Sequence, residues 1–240
     1  MIRKLKKKLQ NSFISLPPIL YKLIPDKYKL MKDEFHSIIR ERAEKTKDFF
    51  FIQIGANDGI SGDPIHAYIL KYNWKGILVE PVKYLFDRLV KNYKRRKNLV
   101  FENVAVSDKN EYKKFYRLRE GSDVLPPGYD QLGSFIPEVI LKNMENIPDI
   151  DKYLITEKVK CVTFKSLIEK YNVKKIDLLH LDTEGYDHKI IKLIDFNKIR
   201  PKMILYEHRH LKNNNKQECM DFLKNKGYCL IEKGNDTLVF

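Results

Sequence analysis

Several polar runs in this 240-residue chain begin where apolar runs end, and their residue types suit one kind of chemistry. The apolar run Phe49 to Ile54 stops at Gly55-Ala56-Asn57-Asp58-Gly59. Glycine at such a point allows a tight turn and a close approach of backbone to a ligand. The glycines fall at 55, 59 and 62, which is not GxGxxG, and no Gly-Lys-Ser/Thr follows, so neither the dinucleotide fingerprint nor a P-loop is present. A pyrophosphate seeks a helix N-terminus. A loop bearing Asp58 would repel it and suits instead a cation such as the sulfonium of S-adenosylmethionine. Glu80 ends the run Ile77-Leu78-Val79, 21 residues after Gly59, and Pro81 follows it. An acidic side chain there can accept both hydroxyl protons of an adenosine ribose. Nicotinamide enzymes and methyltransferases share this device, so it points to adenosine rather than to one cofactor. Ser107-Asp108 ends a third run, within reach of an adenine amino group.

The reacting edge is read from two later runs. Leu179-His180-Leu181 leads into Asp182-Thr183-Glu184-Gly185-Tyr186-Asp187, and Met203 to Tyr206 leads into Glu207-His208-Arg209-His210. Carboxylates and imidazoles are costly to place at the mouth of a central strand without a purpose. Asp182, Glu184, Glu207 and His208 are therefore the candidate catalytic groups. One of them would take the proton of an attacking hydroxyl, whose pKa lies far above neutral. Thr183 and Asp187 also suit the cap of a following helix. A metal could be imagined from Asp182, Glu184, Glu207 and His208, but the spacing is not diagnostic and no metal is expected.

The elements that position these groups alternate. Ile65, Tyr68, Ile69 and Tyr72 follow Asp63-Pro64 at helical spacing, and Leu85, Phe86, Leu89, Val90 and Tyr93 mark a second helix. Leu99 to Val106 reads as a third strand, with Tyr112 to Leu118 as a hairpin partner. Residues 119–158 read as irregular and as the cover of an acceptor site. Val159 to Phe164 is extended, Ser166 to Tyr171 a short helix, and Ile176 to Leu181 a clear strand. A helix follows from Asp187. Met203 to Tyr206 is another strand, Gln217 to Lys226 another helix, and 228–231 with 237–240 a closing hairpin. Such alternation argues for a doubly wound sheet, whose ligands bind beyond the carboxyl ends of the strands.

The net charge of +14 invites a nucleic-acid reading, but residues 1–50 carry 13 Lys/Arg against 6 Asp/Glu, half of the excess. No RNA- or DNA-binding signature accompanies it, so nucleic acid is not the expected partner. Cys161, Cys219 and Cys229 lack metal spacing and fit a reducing compartment. No apolar run approaches the ~18–20 residues of a membrane span. The expected location is the cytoplasm. Ile2, Leu5, Leu9 and Phe13 fit an amphipathic helix, either packed on the domain or touching an anionic membrane surface. Residues 1–48 are a basic helical extension, broken by Pro17, Pro18 and Pro25, and residues 49–240 form the functional domain.

Taken in order, Ile52 to Gly59, Val79-Glu80-Pro81, Asn103 to Asp108, Leu132-Gly133-Ser134-Phe135, Ile176 to Asp187, Tyr206-Glu207-His208 and Gly227-Tyr228 resemble the FkbM family of methyltransferases. The resemblance covers about residues 49–240. It implies a Rossmann-like class I methyltransferase fold, with a central, mostly parallel seven-stranded sheet and helices on both faces. It implies S-adenosylmethionine as methyl donor, and O-methylation of a sugar, glycan or related natural product. Residue by residue, Gly55, Asn57, Asp58 and Gly59 would line the methionine end, Glu80 would hold the ribose, Ser107 and Asp108 would lie near the adenine, and Ala56 and Pro81 would also touch the cofactor. Asp182 and Glu184 would face the transfer site, Asp182 also touching the cofactor. Many members have lysine where His180 stands and aspartate where Lys165 stands. The rival readings are a nicotinamide oxidoreductase, which Glu80 permits and the loop opposes, and a basic nucleic-acid-binding protein.

Overall fold

The computed structural model describes residues 34–121, 125, 128–144 and 146–240. The amphipathic reading of Ile2 to Phe13 and the breaks at Pro17, Pro18 and Pro25 lie outside the described residues.

Five strands form a parallel core: β1 (Phe50–Ile54), β2 (Lys75–Val79), β3 (Leu99–Glu102), β8 (Leu178–Leu181) and β9 (Ile204–Glu207). The antiparallel hairpin β10 (Leu230–Lys233) and β11 (Asp236–Val239) joins at β9. The order is β10-β11-β9-β8-β1-β2-β3, seven strands with the switch point between β1 and β8. Both faces of the central strands are buried, which explains why their sequences read as continuous apolar runs. Ile52, Ile54, Ile77, Val79, Leu179, Leu181, Ile204 and Tyr206 point to one face, and Phe51, Leu78, Leu178 and Leu205 to the other, as the period of two demands.

Helices α1 (Glu34–Lys45), α2 (His66–Tyr72) and α3 (Lys83–Asn92) cover the second of these faces. Helix α1 buries Phe35, Ile39 and Ala43 there, each large side chain contributing ~1.5–3 kcal/mol. The extension read over residues 1–48 thus ends in a helix that shares the core. Helix α4 (Pro137–Asn143) belongs to the insertion described below. The first face is covered by α5 (Phe164–Lys170), α6 (Asp187–Lys192) and α7 (Asn213–Asn225). The cap of α5 is Thr163, whose Oγ1 accepts from Ser166 N at 3.0 Å, while Lys165 lies exposed behind it.

Two sequence readings change. The expected third strand over 99–106 divides into β3 and β4 (Ala105–Ser107), which lie in different sheets. The break is at Asn103, whose Nδ2 donates to Glu80 O (2.8 Å) and Pro81 O (3.0 Å) and so turns the chain away from the main sheet. The segment 119–158 is also more regular than read. It holds β6 (Gly133–Ser134), α4 and the first half of β7 (Leu154–Thr163). The second sheet runs β4-β7-β5-β6, with β5 spanning Tyr112–Leu118. The early half of β7 is half exposed and mixes charged with apolar residues, so pairing with β5 rather than its own composition makes it a strand.

Candidate active site

Parallel register aligns the carboxyl ends of the central strands. Ile54 pairs with Val79 on one side and with Leu181 on the other, and Leu181 pairs with Tyr206. Gly55, Glu80, Asp182 and Glu207 therefore emerge side by side at one edge, at strand spacings of about 4.8 Å. Gly55, Glu80 and Asp182 line the cleft that opens above this edge, the place where open parallel sheets bind their ligands.

Gly55 makes this edge possible. Its φ is +81°, and a Cβ there would lie 1.7 Å from the Asp182 carbonyl oxygen. Gly55 N and Ala56 N both donate to Val79 O at 3.0 Å, and Asn57 N donates to Glu80 Oε2 at 2.8 Å. Gly55, Ala56 and Asn57 line the cleft as expected. Asp58 and Gly59 do not. Asp58 Oδ1 accepts from Ile60 N (2.8 Å) and Ser61 N (2.7 Å), and Oδ2 accepts from Ser61 Oγ (2.8 Å). An aspartate followed by free backbone N–H groups closes on its own turn, so its charge fixes the loop instead of facing a sulfonium. Gly59 faces inward, its carbonyl accepting from Tyr93 OH at 2.8 Å.

Glu80 is buried, and Val82 N donates to its Oε1 at 2.9 Å. Burial pushes its pKa up to about 7, against the hydrogen bonds from Val82 and Asn57. Each oxygen keeps lone pairs free for a ligand hydroxyl. Pro81 lines the same end, with Val82, Ala105, Val106 and Phe115. Ser107 and Asp108 are absent from it. Strand β4 pairs with β7, Ser107 opposite Thr163, and carries both residues toward β5. There Lys113 Nζ donates to Ser107 Oγ at 2.6 Å and pairs with Asp108. Lys113 and Ser107 hold the Asp108 carboxyl down to about 2. The apolar residues just before this pair, Ala105 and Val106, do line the cleft.

The cleft is also lined by three residues with a buried polar atom that finds no hydrogen-bond partner among the described residues: Gln53 Oε1, Asp63 Oδ2 and His180 Nδ1. Burial pushes Asp63 up to about 7 and His180 down to about 3, so the histidine is neutral. Sequence reasoning did not assign Gln53 or Asp63 to the site. Their signal was faint: a polar residue inside an apolar strand, and an aspartate that reads as a cap.

At the reacting edge Asp182 and Glu184 line the cleft. Glu184 has φ +51°, and its carbonyl accepts from Ser134 Oγ at 2.8 Å, tying the turn to β6. Burial, reinforced by Glu184 and Asp187, raises the Asp182 pKa well above the usual carboxylate range. Burial raises Glu207 too, reinforced by Asp182 and Glu184. Asp187 closes the local turn, Thr183 Oγ1 donating to its Oδ2 at 2.9 Å. His208 is not part of this edge. Its Nδ1 lies 2.9 Å from Thr237 Oγ1 on β11, and its N donates to Asn235 O, so the ring faces the hairpin. His210 takes its place: Nε2 lies 3.0 Å from Glu184 Oε2 and 3.5 Å from Glu207 Oε2. A second cleft opens here, lined by Tyr129, Leu132, Asn143, Arg209 and His210, and it shares Glu184 with the first.

The residues present fit S-adenosylmethionine. Glu80 offers acceptors to ribose hydroxyls, and the buried acceptors Gln53 Oε1 and Asp63 Oδ2 suit the ammonium of the methionine end. A dinucleotide pyrophosphate would meet Asp63 and Asp182 with no cationic side chain on the wall.

The family model described as Methyltransferase FkbM domain matches residues 53–230. Among solved structures, the methyltransferase FkbM from Methylobacillus flagellatus KT matches with a TM-score of 0.50 and 8% identity, over 92% of this chain and 58% of that one. The Methanococcus jannaschii fibrillarin pre-rRNA processing protein matches with a TM-score of 0.40 and 12% identity, over 81% and 66%. The O-methyltransferase from Bacillus cereus in complex with SAH matches with a TM-score of 0.42 and 8% identity, over 99% and 88%. The chain therefore spans less than two thirds of the length of the first two. No curated protein matches.

Proposed function

The chain belongs to the FkbM methyltransferase family and is an S-adenosylmethionine-dependent methyltransferase of class I fold, and from that premise we propose that it methylates a hydroxyl group of a sugar, glycan or related natural product. One observation carries this reading. The carboxylates Asp182, Glu184 and Glu207 stand between the cofactor cleft and a second, polar cleft, where a weakly acidic nucleophile needs a proton acceptor.

S-adenosylmethionine, when bound, supplies a methyl carbon activated by its sulfonium. Glu80 would hold the ribose, and Gln53 and Asp63 the ammonium end. The apolar wall of Val82, Ala105, Val106 and Phe115 would take the adenine. The acceptor would enter from the second cleft, over Tyr129, Leu132 and Asn143. Its oxygen would bond to the methyl carbon as the carbon–sulfur bond broke, and one of the three carboxylates, in its ionised form, would take the proton. Alignment of this kind is worth ~7–11 kcal/mol of barrier, and a positioned base a further ~10²–10⁴-fold. Burial and mutual repulsion make Asp182 and Glu207 hold a proton more tightly than free carboxylates do, so either accepts the hydroxyl proton only from its ionised form. Three cysteines without a disulfide, Cys161, Cys219 and Cys229, support a reducing, cytoplasmic setting. No helix among the described residues is long and apolar enough to cross a membrane.

The test has two parts. Calorimetry with S-adenosylhomocysteine, NAD and NADH should show binding of the first alone. A panel of sugars, glycans and polyketide alcohols, incubated with labelled S-adenosylmethionine, should yield a methyl ether by mass spectrometry. Binding of a nicotinamide alone, or label recovered only on nitrogen, carbon or RNA, would overturn the reading.

A further inference from the structure

The wall between the two clefts gathers more carboxylate oxygens than the described residues pair with donors. Glu184 Oε2 and Glu207 Oε2 are both fully buried atoms with no hydrogen-bond donor of suitable geometry. Both face the Nε2 of His210, whose side chain is only 9% exposed. The three atoms lie within 4.8 Å of one another. Asn143 Nδ2, 3.4 Å from Nε2, is a long contact to the imidazole. No lysine or arginine pairs with either carboxylate among the described residues. A single imidazole proton can serve one oxygen well, while the other stays buried and unpaired, a costly arrangement.

We propose that Glu184, Glu207 and His210 bind one divalent cation at the wall shared by the two clefts. The spacing suits metal ligands. Two bonds of ~2.1 Å at a right angle place ligand atoms ~3.0 Å apart, and the observed separations from Nε2 are 3.0 and 3.5 Å. Two carboxylates with one imidazole favour Mn²⁺ over Mg²⁺, because nitrogen ligands suit the later ions. The chain supplies three ligands, which leaves coordination positions for water or an incoming group. The second cleft, lined by Glu207 and His210 themselves, is the side from which such a group arrives. A hydroxyl bound there would lose its proton more readily, as metal-bound water does, and Asp182 would be the carboxylate left to receive it. That consequence rests on the O-methylation reading; the cation site itself does not.

The test is titration of the full chain with MnCl₂, followed by calorimetry and by the electron paramagnetic resonance signal of free Mn²⁺. Wild type should bind one Mn²⁺ per chain. His210→Ala and Glu207→Gln should each weaken binding by more than the ~10–100-fold that loss of an outer-shell partner costs. His208→Ala, two residues away and facing the hairpin, should bind as wild type does. S-adenosylhomocysteine binding checks that each variant is folded. If a variant fails to fold, Glu184→Gln substitutes for it. No saturable Mn²⁺ binding by wild type at millimolar metal, or binding unchanged in folded His210→Ala and Glu207→Gln, would overturn the proposal. A wild type that binds Mn²⁺ but methylates no hydroxyl would leave the site standing and sink the O-methylation reading.

Discussion

Glu80 lets the electrostatics of the cofactor cleft be measured without a substrate. Its ordinary pKa of 4.5 rises to about 7 in the fold, chiefly through burial. The folded state therefore holds the Glu80 proton more tightly than the unfolded state does. The stability this contributes is complete below pH 4.5, is lost as pH rises toward 7, and stays lost above it. Integrated from pH 5 to pH 8, the loss is about 2.5 kcal/mol. Glu80→Gln removes the titration. The amide oxygen can serve one of the two N–H donors, Asn57 N or Val82 N, and its NH₂ faces the other. That defect should cost ~1–3 kcal/mol at every pH. The constant cost cancels when slopes are compared. Urea unfolding at pH 5, 6, 7 and 8 should show wild type losing about 2.5 kcal/mol more than Glu80→Gln across the range. S-adenosylhomocysteine adds a second reading. If its ribose hydroxyls select the ionised carboxylate, wild-type affinity should rise about tenfold between pH 6 and pH 8, as the competent fraction grows. In Glu80→Gln the part of the rise due to Glu80 should vanish, leaving only what Asp63, raised to about 7 as well, contributes. Stability curves that run parallel for the two proteins would refute the burial argument. Parallel affinity curves with different stability slopes would refute the assignment of the ribose to Glu80.

Two further substitutions test how the edge is built. Gly55→Ala should destabilise the protein by ~3 kcal/mol or more in chemical unfolding, because strain at positive φ adds to a clash with the Asp182 carbonyl. A fully stable Gly55→Ala variant that binds S-adenosylhomocysteine would contradict the close approach of the β1 and β8 loops. His208→Ala should keep wild-type affinity and turnover while losing ~1–3 kcal/mol of stability, since the buried contact between its Nδ1 and Thr237 Oγ1 is lost. Lost turnover with intact stability would return His208 to the reacting edge.

Much of this was legible in the chain. The run Phe49 to Ile54 had to be a strand buried on both faces, because it has no polar side to show to water. The alternation of such runs with helical spacings required a parallel sheet, and the sheet required its site at the carboxyl ends. Hence Gly55, Ala56, Asn57, Glu80, Pro81, Asp182 and Glu184 could be placed on the cleft from order alone. Side-chain direction was not legible. Asp58 and Asp63 are both aspartates of one loop, yet Asp58 spends its oxygens on local N–H groups and Asp63 keeps one oxygen facing the cleft. Ser107 ends β4 and Asp108 follows it, and only the pairing of β4 with β7 reveals that this strand lies outside the main sheet. His208 and His210 are two residues apart, beyond the end of β9, where no strand periodicity predicts which ring turns to the hairpin and which to the carboxylates. Local sequence determined where β1, β2 and β8 stop, because burial of an apolar run is a property of that run. Tertiary structure decided which polar groups meet, because a hydrogen-bond partner or a neighbouring charge comes from a distant part of the chain.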